Sequence, residues 1–244
     1  MRVANMLVAD VLAELAGMVA PGITTGDLDA AAEKLVRANG AEPAFKGYRG
    51  YPATLCASVN EQVVHGIPSG RTLGDGDIIS LDMGVKLNGF YGDSAITVPV
   101  GRVGEDVLHL LQVTQDALDR GIAQVKVGAR VSDIGHAIQM HVEKNGFSVV
   151  REFVGHGIGA ALHEEPQIAN YGAPGHGPRL AEGMVLAIEP MVNMGRPAVK
   201  VLSDGWTAVT RDGSLSAHFE HTVAVTKDGP MVLTQRTPAS APVG

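Results

Sequence analysis

The chain has 244 residues, of which 45% are apolar and 18% charged, and its net charge is −7 at pH 7. This composition is typical of a globular protein with a substantial core, and the acidic balance argues against a general nucleic-acid-binding surface. Cys56 is the single cysteine of the sequence, which excludes an internal disulfide and a thiolate zinc site and predicts a reducing, cytoplasmic environment.

The first predicted element is an amphipathic helix over residues 1–20. Its start could be mistaken for a secretory signal, but Asp10 and Glu14 interrupt the apolar run, whereas Leu7 and Val11 lie on one helical face. No apolar run in the sequence approaches the roughly 20 residues that span a bilayer. We therefore expect no membrane partner.

A stretch that starts near residue 22 recurs 106 positions later in the chain. The matching pairs are Gly22 and Gly128, Asp27 and Asp133, Ala31 and Ala137, Val36 and Val142, Asn39 and Asn145, and Gly40 and Gly146. Each copy predicts an amphipathic helix that ends at Asn-Gly. Chance similarity between two such helices is the alternative to a duplicated unit.

Matched carboxylates favour duplication, because they occur at the ends of predicted strands in both copies. In the first copy, the strand 78–82 ends at Asp82 and the strand 93–98 begins at Asp93. In the second copy, the strand 185–189 ends at Glu189 and the strand 220–225 begins at Glu220. About twenty extra residues, Trp206 among them, separate the paired strands of the second copy.

The predicted order of elements is helix, helix, strand, strand, given twice, because a further amphipathic helix over residues 105–125 precedes the second copy. This order indicates an α+β fold in which helices cover one face of a mostly antiparallel sheet. We expect one catalytic domain over residues 1–244, with pseudo-repeats at about 1–105 and 106–235 and a loose tail at 237–244.

Asn88-Gly89 is a strong hairpin signal between the first two carboxylates. With this pair at the turn, Gly84 lies opposite Asp93, and Asp82 is its diagonal neighbour on the same face, roughly 7 Å away. Two like charges on an inward face repel each other and are costly to desolvate. A cation between them would remove the conflict.

If the two copies face each other, Glu189 and Glu220 approach Asp82 and Asp93 from the other side. Four carboxylates in one cleft suit two divalent ions about 3.5–4 Å apart. His156, in the sequence GHGIG, is a plausible fifth ligand. Four separate surface acids are the alternative, which explains the apolar residues that flank them poorly.

Two further histidines, His65 in VVHGIP and His163 in ALHEEP, each follow an apolar run and precede a tight turn with proline. A histidine of this kind is either structural or an acid–base group in a pocket, and the sequence pattern leaves both open. His218 and His221 flank Glu220 and are candidates only for a supporting role. The other histidines are assigned to packing or solvent: His109, His136, His141 and His176.

Five motifs occur in the order and spacing of a known family: SVNEQVVHGIPS, ISLDMGVKLNGFYGDSAIT, GHGIGAALHEEP, AIEPMV and SLSAHFEHT. They closely resemble those of bacterial type I methionine aminopeptidases, metallopeptidases of family M24, and the resemblance runs from about Met1 to Leu233. It implies the pita-bread fold, in which two pseudo-symmetric halves with a curved antiparallel sheet, covered by helices, hold a dinuclear metal site.

By this resemblance, five residues look like the metal ligands: Asp82, Asp93, His156, Glu189 and Glu220. Asp93 and Glu220 would bridge both ions, which could be cobalt, manganese, iron or zinc. The implied activity is removal of an N-terminal methionine that precedes a small residue, by attack of a metal-activated water. Glu189 would move the proton, and His65 and His163 would contact the scissile peptide.

The resemblance also assigns residues to the methionine pocket: Tyr48, Tyr51, Cys56, Leu162 and Trp206, with His65 at its edge. Many relatives have an aromatic residue at the position of Leu162 and a cysteine at that of Phe45. We expect the pocket to stay apolar and its specificity class to be unchanged, while the resemblance leaves its shape open. Family members also bind a monovalent cation through backbone oxygens, here near Asn60, Gln62 and Ser216.

The implied partners are nascent chains with an N-terminal methionine and, transiently, the ribosome, and we expect a monomer. A proline-directed peptidase of the same fold is one alternative, although such enzymes usually carry an added N-terminal domain. The long insert of type II enzymes is absent, and the first helix begins without the short leading segment of most relatives. A binding module that has lost its metals is another alternative, but all five ligand positions are kept.

Overall fold

The computed structural model describes residues 1–235, and the predicted tail at 237–244 lies outside the described residues. Its α-helices are Arg2–Met18 (α1), Thr25–Ala38 (α2), Glu105–Ile122 (α3) and Val131–Lys144 (α4), and Tyr48–Gly50 forms a 3-10 turn. No helix in residues 1–235 is long and apolar enough to cross a membrane. The α-helices occur in the predicted order, two ahead of each predicted pair of strands.

Short strands form the rest of the fold. They are β1 (Glu42–Pro43), β2 (Cys56–Val59), β3 (Gln62–Val64), β4 (Ile78–Leu87), β5 (Phe90–Pro99), β6 (Ser148–Val149), β7 (Gly155–Gly157), β8 (Glu164–Ile168), β9 (Val185–Ile188), β10 (Met191–Asn193), β11 (Val199–Val201), β12 (Ala208–Thr210), β13 (Ser216–His218), β14 (His221–Thr226) and β15 (Gly229–Val232). The strand ladders within residues 1–235 are antiparallel, as predicted for an α+β fold.

Helices α2 and α4 begin in the same way. The carboxylate of Asp27 accepts a hydrogen bond from the backbone N–H of Thr24 at 3.0 Å, and that of Asp133 accepts one from Arg130 at 2.8 Å. These bonds satisfy amide groups that a helix start leaves without a partner. Both helices end before Asn-Gly, as predicted, since Asn39 and Asn145 are the C-terminal caps.

The β4–β5 hairpin turns at Asn88 and Gly89, which both adopt positive φ. Gly84 pairs with Asp93 in the predicted register. The predicted strand ends were wrong, because pairing continues to the turn: Asp82 lies within β4 rather than at its end, and Asp93 lies within β5.

Each pair of helices covers strands through its own apolar cluster. Leu15 of α1 and Leu28 of α2 pack with Leu81 of β4, whereas Ile134 of α4 packs with Leu186 of β9. Helix α1 lies closely over β5: a Cβ at Gly92 would come within 2.9 Å of the backbone of Ala4. The two helical layers thus cover the strands β4, β5 and β9.

The two halves of the chain meet along β5. The N–H of Glu220 donates to the carbonyl of Ala95 at 2.9 Å, and the hydroxyl of Ser94 donates to the carbonyl of Glu220 at 2.6 Å. The hydroxyl of Thr222 donates to the carbonyl of Asp93 at 2.7 Å. This seam places Asp93 beside Glu220, although 127 positions separate them in the sequence.

Candidate metal centre and substrate pocket

Four acids and one histidine converge where the halves meet. Asp82 and Asp93 come from the β4–β5 hairpin, His156 from β7, Glu189 from the residue after β9, and Glu220 from the junction of β13 and β14. Strand pairing aligns the last three, because β9 pairs with both β7 and β14. The fold thus brings together all five residues proposed from the sequence as metal ligands.

Distances within this cluster are those of groups that could share a cation. The Nε2 atom of His156 lies 3.9 Å from Oδ2 of Asp93 and 3.7 Å from Oε1 of Glu189. Asp93, His156 and Glu220 each offer a ligand atom, and these three atoms lie within 4.8 Å of one another. All three side chains are buried.

Burial and mutual repulsion make the cluster costly without a cation. Burial raises the pKa of Asp93 to about 7, and burial followed by repulsion from neighbouring acids raises the pKa values of Asp82, Glu189 and Glu220 well above their ordinary range. In residues 1–235, one carboxylate oxygen each of Asp82, Asp93 and Glu220 is buried without a hydrogen-bond partner. Unpartnered buried carboxylates and a neutral imidazole fit divalent cations.

A pocket opens beside the acids and is walled by apolar and aromatic side chains. Its wall residues are Phe45, Tyr48, Tyr51, Cys56, Leu162 and Trp206. The edge of the Tyr51 ring meets Trp206, with 5.1 Å between ring centroids. Cys56 lies directly opposite Asp82 in the β2–β4 register, so the pocket and the acids share adjacent strands. Burial raises the pKa of the Cys56 thiol, which makes it a wall rather than a nucleophile.

His65 and His163 both line this pocket. The His65 ring meets Trp206 edge to face, and Nδ1 of His163 lies 2.9 Å from the phenol oxygen of Tyr48. Burial lowers the pKa of His65 to about 4, and partial burial together with repulsion from His156 and Arg49 lowers the pKa of His163, which is open to solvent on one side, to about 4. Both rings are therefore neutral near pH 7.

Two further residues lie near the cluster: Arg49, which was not identified from the sequence, and His218, which was assigned only a supporting role beside Glu220. Arg49 lines the pocket, and its guanidinium lies 5.4 Å from the centre of the Tyr48 ring. His218 is buried, with Nε2 at 3.7 Å from Oε2 of Glu189. Its separation of two residues from Glu220 was the available signal, because alternate residues of a strand share a face.

The residues proposed for a monovalent cation are neighbours in space. The N–H of Ser216 donates to the carbonyl of Asn60 at 3.0 Å, and the Asn60 side chain donates to Asp77 at 2.8 Å. The side-chain oxygen of Gln62 accepts from the N–H of Val59 at 2.8 Å. These contacts bring together β13 and the turn between β2 and β3.

Known proteins are similar to this chain in sequence and in fold. The model of metallopeptidase family M24 matches residues 1–227. Methionine aminopeptidase 1 of Bacillus subtilis is 55% identical, with 96% of this chain and 95% of that protein covered. The chain belongs to the methionine aminopeptidases of family M24. The family resemblance noted in the sequence is therefore confirmed.

Solved structures confirm the pita-bread fold of this family. The methionine aminopeptidase of Thermotoga maritima superposes with a TM-score of 0.95 at 47% identity, covering 97% of this chain and 95% of that one. The enzyme of Rickettsia prowazekii gives the same TM-score at 44% identity, covering 96% and 95%. Prolidase from Pyrococcus furiosus shares the fold at 22% identity and a TM-score of 0.78, with 98% of this chain and 63% of that one covered.

Proposed function

We propose that this chain removes the N-terminal methionine from nascent proteins and peptides whose second residue is small. The observation that supports this most directly is the buried acid cluster with unpartnered oxygens beside an apolar pocket. A site of this kind joins a polar reacting centre to a binding place for one apolar side chain. The relatives at 50–55% identity bear the name methionine aminopeptidase.

Two divalent ions are proposed for the acid cluster. Asp93 and Glu220, which the seam places side by side, would bridge both ions; Asp82 would hold one ion, and His156 with Glu189 the other. Cobalt, manganese, iron and zinc all suit this donor set. When bound, such ions supply an activated water and polarise the scissile carbonyl.

The chain's own residues would then move protons and orient the peptide. Glu189 is only partly buried, with its side chain 15% exposed, and is proposed to take the proton of the attacking water and deliver it to the leaving amine. His163 would polarise the peptide from one side of the pocket. His65 would stabilise the developing intermediate or the leaving amide.

The pocket is proposed to hold the methionine side chain. A thioether is flexible and polarisable and packs well against aromatic edges such as those of Tyr51 and Trp206. Phe45 and Leu162 keep the wall apolar. The free α-amine of the substrate can bind a cation, which would restrict cleavage to the first peptide bond.

We further propose a cytoplasmic monomer that associates transiently with the ribosome, where new N-termini emerge. A monovalent cation bound by backbone oxygens near Asn60, Gln62 and Ser216 would stabilise the turn that leads into β3. The acidic net charge argues against a specific nucleic-acid partner.

A peptide-cleavage assay tests the proposal. The chelated protein is reloaded separately with manganese, iron, cobalt and zinc, and its metal content is measured. We expect two ions per chain and release of methionine from Met-Ala and Met-Gly peptides. Peptides with leucine as the second residue should not be cleaved, and cleavage of these peptides at an equal rate would contradict the proposed preference for a small second residue. Asp228→Asn, at the exposed turn between β14 and β15, is the charge-matched control for ligand substitutions.

A further inference from the structure

We propose that Tyr48 is a positioning residue that fixes the tautomer of His163. In this arrangement, the phenol O–H donates to Nδ1 of the imidazole, so the ring hydrogen is carried by Nε2 and available to the substrate. This inference rests on the proposed function and adds to it a group that acts through His163.

The geometry of the pair constrains both the place and the rotation of the imidazole. The Tyr48 oxygen lies 2.9 Å from Nδ1 of His163, and the two rings stack with 5.2 Å between centroids and 24° between planes. Stacking alone would allow the imidazole to turn over and exchange its two nitrogens. The hydrogen bond removes that freedom, because it singles out Nδ1.

His163 needs such a constraint because its own segment does not provide one. It lies in the loop that joins β7 to β8, and its side chain is exposed to solvent on one side. The ring of His156 lies 4.2 Å away, between centroids, but is tilted by 47° and offers it no hydrogen bond. An exposed neutral imidazole without a fixed partner exchanges its tautomers freely.

Tyr48 is held independently of His163. The N–H of Tyr48 donates to the carbonyl of Phe45 at 2.9 Å, and that of Gly47 donates to the carbonyl of Tyr51 at 2.7 Å. Gly47 has a φ of 87°, which suits glycine. The phenol therefore stands on a closed turn in the N-terminal half, 115 residues before the imidazole that it contacts.

The direction of the hydrogen bond follows from the role proposed for His163. A ring that polarises a carbonyl must present an N–H to the oxygen, where negative charge develops. Nε2 carries that hydrogen only if Nδ1 is the acceptor. Within residues 1–235, the phenol oxygen of Tyr48 has no hydrogen-bond partner other than this nitrogen, so its O–H is free to donate there.

The first test is Tyr48→Phe, which keeps the stacked ring and deletes only the oxygen. We expect kcat to fall about tenfold, while KM stays within about twofold and the metal content is unchanged, because one hydrogen bond that acts in the transition state is lost. Tyr91→Phe is the matched control, since Tyr91 belongs to the same apolar cluster and its phenol forms no hydrogen bond in residues 1–235. A wild-type kcat in Tyr48→Phe would overturn the proposal.

The second test reads the tautomer in metal-free protein and needs no activity. Imidazole ¹⁵N spectra of histidine-labelled protein are compared with those of His163→Gln to assign the His163 signals. We expect the hydrogen on Nε2 in the wild type and a mixture of tautomers in Tyr48→Phe. A hydrogen on Nδ1 in the wild type, or an unchanged tautomer in the variant, would contradict the role of Tyr48. Absence of peptidase activity with every metal would instead contradict the proposed function.

Discussion

The two halves of the molecule supply the acid cluster in different ways. In the N-terminal half, about residues 1–105, both acids lie on one hairpin, and a continuous antiparallel register sets their separation. In the C-terminal half, about residues 106–235, His156, Glu189 and Glu220 come from three separate elements that align only when β7, β9 and β14 pair. One half of the cluster is local in sequence, and the other is a product of tertiary structure.

The halves also differ in what they add to the pocket. The C-terminal half contains the β11–β12 hairpin, whose connecting segment includes Trp206. This hairpin has no counterpart in the N-terminal half. Strand β12 pairs with β3, so this extra hairpin is anchored on the other half. The elements common to both halves hold the acids, whereas the added hairpin builds a wall of the pocket.

The largest expected effect is the loss of peptidase activity when one acid of the cluster is replaced, and we expect it to be equal for an acid of either half. Asp93→Asn and Glu220→Gln should each lower kcat/KM at least about a hundredfold, because each removes a charge shared by both proposed ions. Both should lose metal, as measured by elemental analysis, and Asp228→Asn should lose none. Retention of metal by only one of the two ligand variants would show that the halves hold the ions unequally.

Metal removal should expose the cost of bringing the acids together. The pKa of Asp93 is raised from 3.8 to about 7 in the folded chain, so the folded state binds more protons than the unfolded state between these values. The free energy of unfolding of the metal-free protein should therefore fall as pH rises from 4 to 7. Chemical denaturation at pH 5 and pH 8 measures this effect, and Asp93→Asn should reduce it. Equal stability at both pH values would contradict it.

A smaller effect on stability is expected where a glycine allows close packing of helix and sheet. Each half has one such glycine, on a strand in the N-terminal half and on a helix in the C-terminal half. Gly92 lies on a strand beneath α1, whereas Gly135 lies on α4, where a Cβ would meet the carbonyl of Ala169. We expect Gly92→Ala and Gly135→Ala each to lower the free energy of unfolding by about 1–3 kcal/mol. Gly17→Ala has open space around it and should not destabilise. Tolerance of either clash would show that this layer can shift.

The helix caps should give the smallest effect, and it should be similar in the two halves. Hydrogen bonds from the side chain and backbone of Thr24 hold the pKa of Asp27 below its ordinary range. Backbone hydrogen bonds from Arg130 and Gly175 do the same for the pKa of Asp133. Their contribution to stability is present above the unfolded pKa of 3.8 and is lost as pH falls through the lowered folded values. Asp27→Asn and Asp133→Asn should therefore lower Tm slightly at pH 7, and the difference from the wild type should shrink as pH falls below 3.8. A Tm difference that did not shrink on acidification would point to another cause.

The N-terminal half of the site was the more predictable from sequence. Asn88-Gly89 specifies a turn by its backbone preferences alone, and the alternation of a strand then places Asp82 and Asp93 on one face. The strand limits were not predictable, because pairing with β5 up to the turn, and with β1, extends β4 beyond the apolar run. A local pattern carries no information about such partners.

Contacts between distant segments account for what sequence reasoning could not provide. The pairing of Trp206's hairpin with β3 and the bond between Tyr48 and His163 both depend on how the halves dock. His218 was placed near Glu220 by its spacing, but its approach to Glu189 requires the β10–β13 pairing. The family resemblance named most of these residues without giving their contacts.

The seam along β5 has a consequence for the synthesis of the protein. The hydroxyl of Thr222 and the carbonyl of Asp93 that it binds are 129 residues apart. Asp82 and Asp93 are therefore synthesised long before the C-terminal residues that they contact. Contacts of such long range are slow to close and form late in folding. A chain cut short before Glu220 would lack one of the four acids and the strand β14 that aligns it, so the complete cluster can assemble only after translation has passed Glu220.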